Sequence, residues 1–169
     1  MGSLKLGKQA AIPAALRAVL MRERGWFGFR IALWGSYFTA PLFAEMEKRF
    51  GILRDEFAIL ASLYDYGSLS AKTICAITGR PKNSISRGVT RLTASKRIRS
   101  TTNRLDRREA ILTLLASGRR LYERILPMCR ERERLMLEPL SDAELAQLDE
   151  LLAKLLNYYH ESPEAGDLQ

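Results

Sequence analysis

Gly79-Arg80-Pro81 is the feature that most constrains the fold, because it cuts one helical run into two short ones. Proline lacks a backbone donor and disfavours a helical residue before it, while glycine accepts the left-handed conformation that ends a helix. Upstream, Ser70 is a good N-cap, and Ile74 and Ile77 mark the inner face of a short helix ending at Gly79. Downstream, Lys82 to Ser95 resumes a helical pattern in which Ile85, Val89 and Leu92 point one way. Asn83, Ser86, Arg87 and Arg91 occupy the other faces, so one side packs and another is available for contact.

The next segment changes period. Ile98 to Thr102 reads as a strand, Asn103 to Arg108 as a polar turn and Ala110 to Leu114 as a returning strand. Two short helices across a tight turn, the second rich in Arg, Asn, Ser and Lys, form a helix-turn-helix pattern whose second helix suits a DNA major groove. The hairpin after it is tipped with Arg104, Arg107 and Arg108, a composition suited to phosphates or to the narrow minor groove. Asp106 inside that tip fits an orienting role, accepting a charge-assisted hydrogen bond from a neighbouring arginine.

Charge sharpens this reading. The chain of 169 residues has a formal net charge of +8. Between Arg80 and Arg108 stand ten cations (Arg80, Lys82, Arg87, Arg91, Lys96, Arg97, Arg99, Arg104, Arg107, Arg108) and one acid, Asp106, which leaves 17 cations against 18 acids elsewhere. The excess basicity therefore belongs to one region. Such a local field is the footprint of a polyanionic partner, since neutralised phosphates release condensed counterions.

Long helical patterns flank this centre. Trp26 to Phe50 carries Phe29, Leu33 and Tyr37, then Phe38, Leu42, Met46 and Phe50, with a bend expected at Pro41 and a stop at Gly51. A helix from about Arg54 to Tyr64 follows. After the hairpin, a helix from about Ser117 to Leu137 is expected to be interrupted at Pro127. Ser141 and Glu144 form a capping box ahead of Leu145, Leu148, Leu151, Leu152, Leu155 and Leu156. This strongly amphipathic helix favours a dimer, because a compact central domain has little core left to cover the terminal helices. Residues 1–24 read as an N-terminal arm with a modest helical pattern after Pro13.

Other classes of function find little support. Trp26 to Ala44 approaches the length of a membrane span, but Arg30, Pro41 and the small residues Gly28, Gly35 and Ser36 argue against one. Cys75 and Cys129 lie far apart and His160 stands alone, so no disulfide framework or zinc site is indicated. Each thiol reads as a small buried apolar residue, and a reducing cytoplasm fits. No Gly-rich phosphate loop, metal cluster or nucleophile-base pair appears, so neither an enzyme nor a cofactor is expected. A winged-helix module that binds protein instead of DNA is the rival reading.

Ile74-Cys75-Ala76 through Gly79, Asn83-Ser84-Ile85-Ser86-Arg87 with Leu92, and Asn103-Arg104-Leu105-Asp106-Arg107-Arg108 together resemble the MarR family of bacterial transcriptional regulators. The wing signature Asp-x-Arg falls on Asp106 and Arg108, and Gly118 fits the glycine beginning the next helix. The specific motifs occupy about Leu69 to Gly118. Arg97 stands where the family usually has glycine after the second helix, Leu115 replaces a common threonine cap, and the N-terminal arm is longer than usual.

The resemblance implies a mostly helical fold with a β-hairpin wing. Residues 53–116 would be a winged helix-turn-helix, with dimerisation helices over 25–52 and 117–160 and a tail over 161–169. It implies a cytoplasmic, nucleoid-associated homodimer on a near-palindromic operator, acting as a repressor. Asn83, Ser84, Ser86, Arg87 and Arg91 would serve the major groove and adjoining backbone, Arg80 and Lys82 the phosphates, and Arg104, Arg107 and Arg108 the wing. Similar proteins often bind a small aromatic effector between the dimerisation helices and the DNA-binding lobe. Here Trp26, Phe29, Arg30, Trp34, Tyr37 and Phe38, with Tyr64 or Tyr66, are the candidates for lining such a cavity, and Arg30 would pair an anionic ligand. An aromatic stripe at helical spacing is more often the mark of an ordinary core than of a pocket.

Overall fold

The computed structural model describes residues 27–102 and 110–161. In chain order they form α1 (Phe27–Phe50), α2 (Arg54–Tyr66), β1 (Leu69–Ser70), α3 (Ala71–Thr78), α4 (Lys82–Ala94), β2 (Ile98–Thr102), β3 (Ala110–Leu114), α5 (Ala116–Leu137) and α6 (Asp142–Glu161). The mostly helical fold with a small hairpin is the one expected. The N-terminal arm, the hairpin tip and the tail beyond Glu161 lie outside the described residues.

The chain divides into two compact units between Pro41 and Leu42. The division falls inside α1, directly after the proline that removes a helical donor and crowds the preceding turn. In the first unit α1 exposes Phe27, Ile31, Trp34 and Tyr37. In the second, Leu42 and Met46 are buried. No described helix is long and apolar enough to cross a membrane.

Helix α2 is the centre of the second unit, with Ile59, Leu60 and Leu63 almost completely buried. Its flank carries an aromatic cluster in which Phe57 lies 5.6 Å from Tyr122 and 6.1 Å from Phe43, and Tyr64 lies 4.7 Å from Tyr122. Its start has no capping side chain at Leu53. Instead the Glu56 carboxylate reaches back to accept the Leu53 N–H at 2.7 Å, half of a capping box. The helix runs two residues past the expected Tyr64 and ends before Gly67, at φ 82°.

Strands β1, β3 and β2 form a three-stranded antiparallel sheet in that order. The hairpin strands β2 and β3 have the expected bounds, with Ile98 opposite Leu114 and Thr102 opposite Ala110. The two-residue β1 was not anticipated, being too short to show a period. It matters because Ser70 has two roles: it pairs with Ile111 in the sheet, and its hydroxyl accepts the Thr73 N–H at 3.1 Å as the N-cap of α3. The sheet thereby fixes where the first short helix starts. Its end is Gly79, left-handed at φ 63° as expected. Ile74 is fully buried, but Ile77 is 43% exposed and does not share the inner face assigned to it. A three-residue step leaves Ile77 about 60° round the helix from Ile74, off the packed face. Helix α5 continues without interruption through Pro127, against expectation, and the capping box of α6 forms as expected, with Ser141 N–H donating to Glu144 at 2.8 Å.

The positive φ falls on Lys96, at 54°, not on Arg97. Lys96 N–H donates to the Thr93 carbonyl and Arg97 N–H to the Leu92 carbonyl, the paired bonds of a Schellman ending with lysine in the glycine position. Arg97 then takes part in a different lock. Its carbonyl accepts the Leu115 N–H at 3.0 Å, and a β-carbon on Gly118 would sit 2.3 Å from that same oxygen. Replacement of glycine there requires backbone movement, so Gly118→Ala should destabilise by about 2 kcal/mol. Lys96→Gly should stabilise by roughly 0.5–1 kcal/mol, since it relieves left-handed strain but loosens the unfolded chain. Urea titrations check both: the midpoint falls for the first and rises for the second, with unchanged slopes.

Candidate nucleic-acid interface

Helix α4 is amphipathic, and its inner face is set by Ile85, Gly88 and Leu92. Gly88 is the crossing point on α2, where an added β-carbon would lie 2.7 Å from Ile59 Cδ1 and 3.6 Å from the Asp55 and Glu56 backbone. Val89, placed on the inner face by its spacing, is only half-buried, because the smaller Gly88 makes the closer approach. With this face against α2, Lys82, Asn83, Ser86 and Arg87 are exposed on the remaining faces, Arg91 is exposed at the flank from which it reaches α2, and Ser84 is half-buried.

The cations of this region divide into two sets. Arg80 donates through Nε to Asp55 Oδ1 at 2.6 Å, and its Nη2 pairs with the same oxygen. Arg91 donates through Nε to Glu56 Oε1 at 2.7 Å. Both partners stand in the first turn of α2, and sequence reasoning missed them. The adjacent acids Asp55 and Glu56 were visible, but not their proximity to residues 25 and 35 positions away. Lys82 and Arg87, by contrast, have no ion-pair partner among the described residues.

Helix α4 and the hairpin share one side of the fold. A cleft of about 540 Å³ is walled by Lys82, Ser86 and Val89 of α4, by Lys72 and Cys75 of α3, and by Ser100 and Leu112 of the sheet. The exposed face of α4 and the strands leading to the hairpin tip therefore border the same opening. Arg104, Asp106, Arg107 and Arg108 lie outside the described residues.

The candidate effector residues fall in both units. In the first, Phe29, Trp34 and Tyr37 are exposed, and the Trp34 and Phe38 rings stack at 6.1 Å. The Arg30 guanidinium lies 5.8 Å from the Phe27 ring centre. In the second, Tyr66 is exposed, while Tyr64 is a packed member of the aromatic cluster with Arg119 4.7 Å over its ring. Trp26 lies outside the described residues. Cys75 and Cys129 are free thiols, each half-buried and not fully buried as expected. Burial pushes the Cys129 thiol above its usual range, which keeps it protonated and unreactive at neutral pH.

Residues 50–109 match the sequence profile of the MarR family. No curated protein is similar enough in sequence to match the chain. Among solved structures, a MarR/EmrR family transcriptional regulator from Acinetobacter sp. ADP1 is 29% identical and superposes with a TM-score of 0.71, covering 80% of this chain and 95% of that one. A probable transcriptional regulator from Pseudomonas aeruginosa is 28% identical with a TM-score of 0.67, covering 78% and 97%. A mutant MarR from E. coli, solved in complex with operator DNA, is 18% identical and shares the fold with a TM-score of 0.68, covering 83% and 98%. With the profile matched over residues 50–109 and the fold shared along most of its length, this chain is similar to the winged helix-turn-helix transcriptional regulators of the MarR family.

Proposed function

We propose that the protein is a sequence-specific, duplex-DNA-binding repressor that acts as a homodimer. The observation that carries this reading is the display of Lys82, Asn83, Ser86 and Arg87 on the exposed face of α4, beside the cleft that α4 shares with the hairpin. A helix seated in a major groove contacts base edges through its N-terminal residues, and these four residues fill the first turn and a half of α4. Arg87 is the base-reading cation, since a guanidinium matches the two acceptors of guanine. Lys82 serves the flanking phosphates. The wing arginines 104, 107 and 108 take the neighbouring minor groove, with Asp106 orienting them.

Dimerisation through the helices of residues 25–52 and 117–160 is supported by their apolar surfaces. Leu151, Leu155, Leu156 and Tyr158 of α6 are each more than half exposed, as are Phe27 and Tyr37 of α1. Burying the exposed part of such side chains removes apolar area from water, which favours association. Two-fold symmetry then calls for a near-palindromic operator. A regulator of the same fold from Bordetella bronchiseptica, BpsR, has its DNA binding regulated by 6-hydroxynicotinic acid. We extend this to a small anionic aromatic effector for the present chain, held by α1 aromatics together with Arg30.

Fluorescence anisotropy with duplexes from the protein's own promoter region and with scrambled duplexes, over a series of salt concentrations, tests the central reading. Arg87→Ala should cut the preference for the promoter duplex about tenfold. Arg108→Ala should weaken binding to both duplexes and lower the salt slope by about one. Equal affinity of the wild type for both duplexes, or binding independent of salt, would sink the proposal.

A further inference from the structure

Two consecutive carboxylates stand behind the exposed face of α4, and the second is the more unusual. The Glu56 side chain is only 4% exposed, although it bears a charge. Both of its oxygens are occupied, one by the Leu53 N–H at 2.7 Å and the other by Arg91 Nε at 2.7 Å. It also sits at the positive end of α2, where a carboxylate is favoured. The anion is thus fixed in place by α2 alone, before any contribution from arginine. Arg91 is its opposite: its side chain is 55% exposed, and the bond to Glu56 occupies Nε while the two terminal amino groups remain for another partner.

We infer that Glu56 is a positioning residue that aims Arg91 at a DNA backbone phosphate. The inference rests on the DNA-binding reading above. A surface arginine ordinarily samples many rotamers, and contact with a phosphate requires that freedom to be surrendered. Anchoring Nε from behind removes it in advance and turns the remaining edge of the guanidinium outward, the geometry that grips a phosphate through parallel hydrogen bonds. Position along α4 selects the phosphate over the bases. Arg91 lies one turn beyond Arg87 on the same stripe, in the last turn of the helix, whereas base edges are read by the N-terminal turns.

The direction of one effect distinguishes aiming from simple electrostatics. Glu56→Gln removes a negative charge beside the DNA surface, so the electric field alone predicts tighter binding. Loss of aim predicts weaker binding. Anisotropy with the wild-type promoter duplex should show Glu56→Gln binding three- to tenfold more weakly, and Arg91→Lys, which keeps the charge but not the fork, should behave alike. Arg91→Ala should lower the salt slope by about one. Adding Glu56→Gln to Arg91→Ala should cost nothing further, because the acid acts only through that arginine.

Tighter or unchanged binding by Glu56→Gln overturns the inference. So does an equal loss in the Arg91→Ala background accompanied by a lower melting temperature, which would make Glu56 a purely structural residue. If the wild type binds duplex DNA but Arg91→Ala leaves affinity and salt slope untouched, the aiming role fails while the DNA-binding reading stands. A wild type without salt-dependent duplex binding overturns both.

Discussion

The structure depends on the crossing of α4 over the first turn of α2 at Gly88. A β-carbon at that position would lie 2.7 Å from Ile59 Cδ1, so that this buried side chain would have to shift. With none, the backbones approach closely, and everything on α4 is set by that contact. Ile85 and Leu92, a turn to either side, are buried against the interior, which points the intervening polar residues outward. The two ends of the crossing are tied by Arg80 to Asp55 and by Arg91 to Glu56. A helix of thirteen residues is marginal by itself, so its orientation comes from these tertiary contacts and not from helix propensity.

The same crossing explains how a strongly basic segment folds without repelling itself. Two of its arginines are matched by the carboxylates of α2, while Lys82 and Arg87 meet no counter-ion among the described residues. Positive charge is therefore partly spent on holding the helix and partly displayed on its free face. Farther along, the Schellman turn at Lys96 and the contact of Gly118 with the Arg97 carbonyl fasten the end of α4 to the start of α5. The hairpin between them is thus anchored at both of its roots.

The elements of the central domain were legible because their signals are local. Gly79 and Pro81 punctuate the chain, Ser70 caps, and a short apolar run marks β3, each of which acts on its immediate neighbours. The misjudged details were those in which a residue's type did not decide its conformation or burial. Ile77 looks apolar enough for a core, yet is exposed, lying off the packed face that Ile74 occupies. Lys96 adopts the left-handed conformation because the bonds to Thr93 and Leu92 fix the turn there, whatever residue occupies it. Pro127 reads as a breaker but is absorbed within α5.

What the sequence determined by itself was the order of the helices and of the two hairpin strands, and the concentration of positive charge between Arg80 and Arg108. Each follows from spacing, capping and composition, which are properties of neighbouring residues. Only the tertiary structure decided which of those charges are held and which are offered. Opposite charges far apart in the chain have no preferred partner until the core brings them within reach, and here the packing of α4 on α2 delivered Arg91 to Glu56 and left Arg87 facing outward.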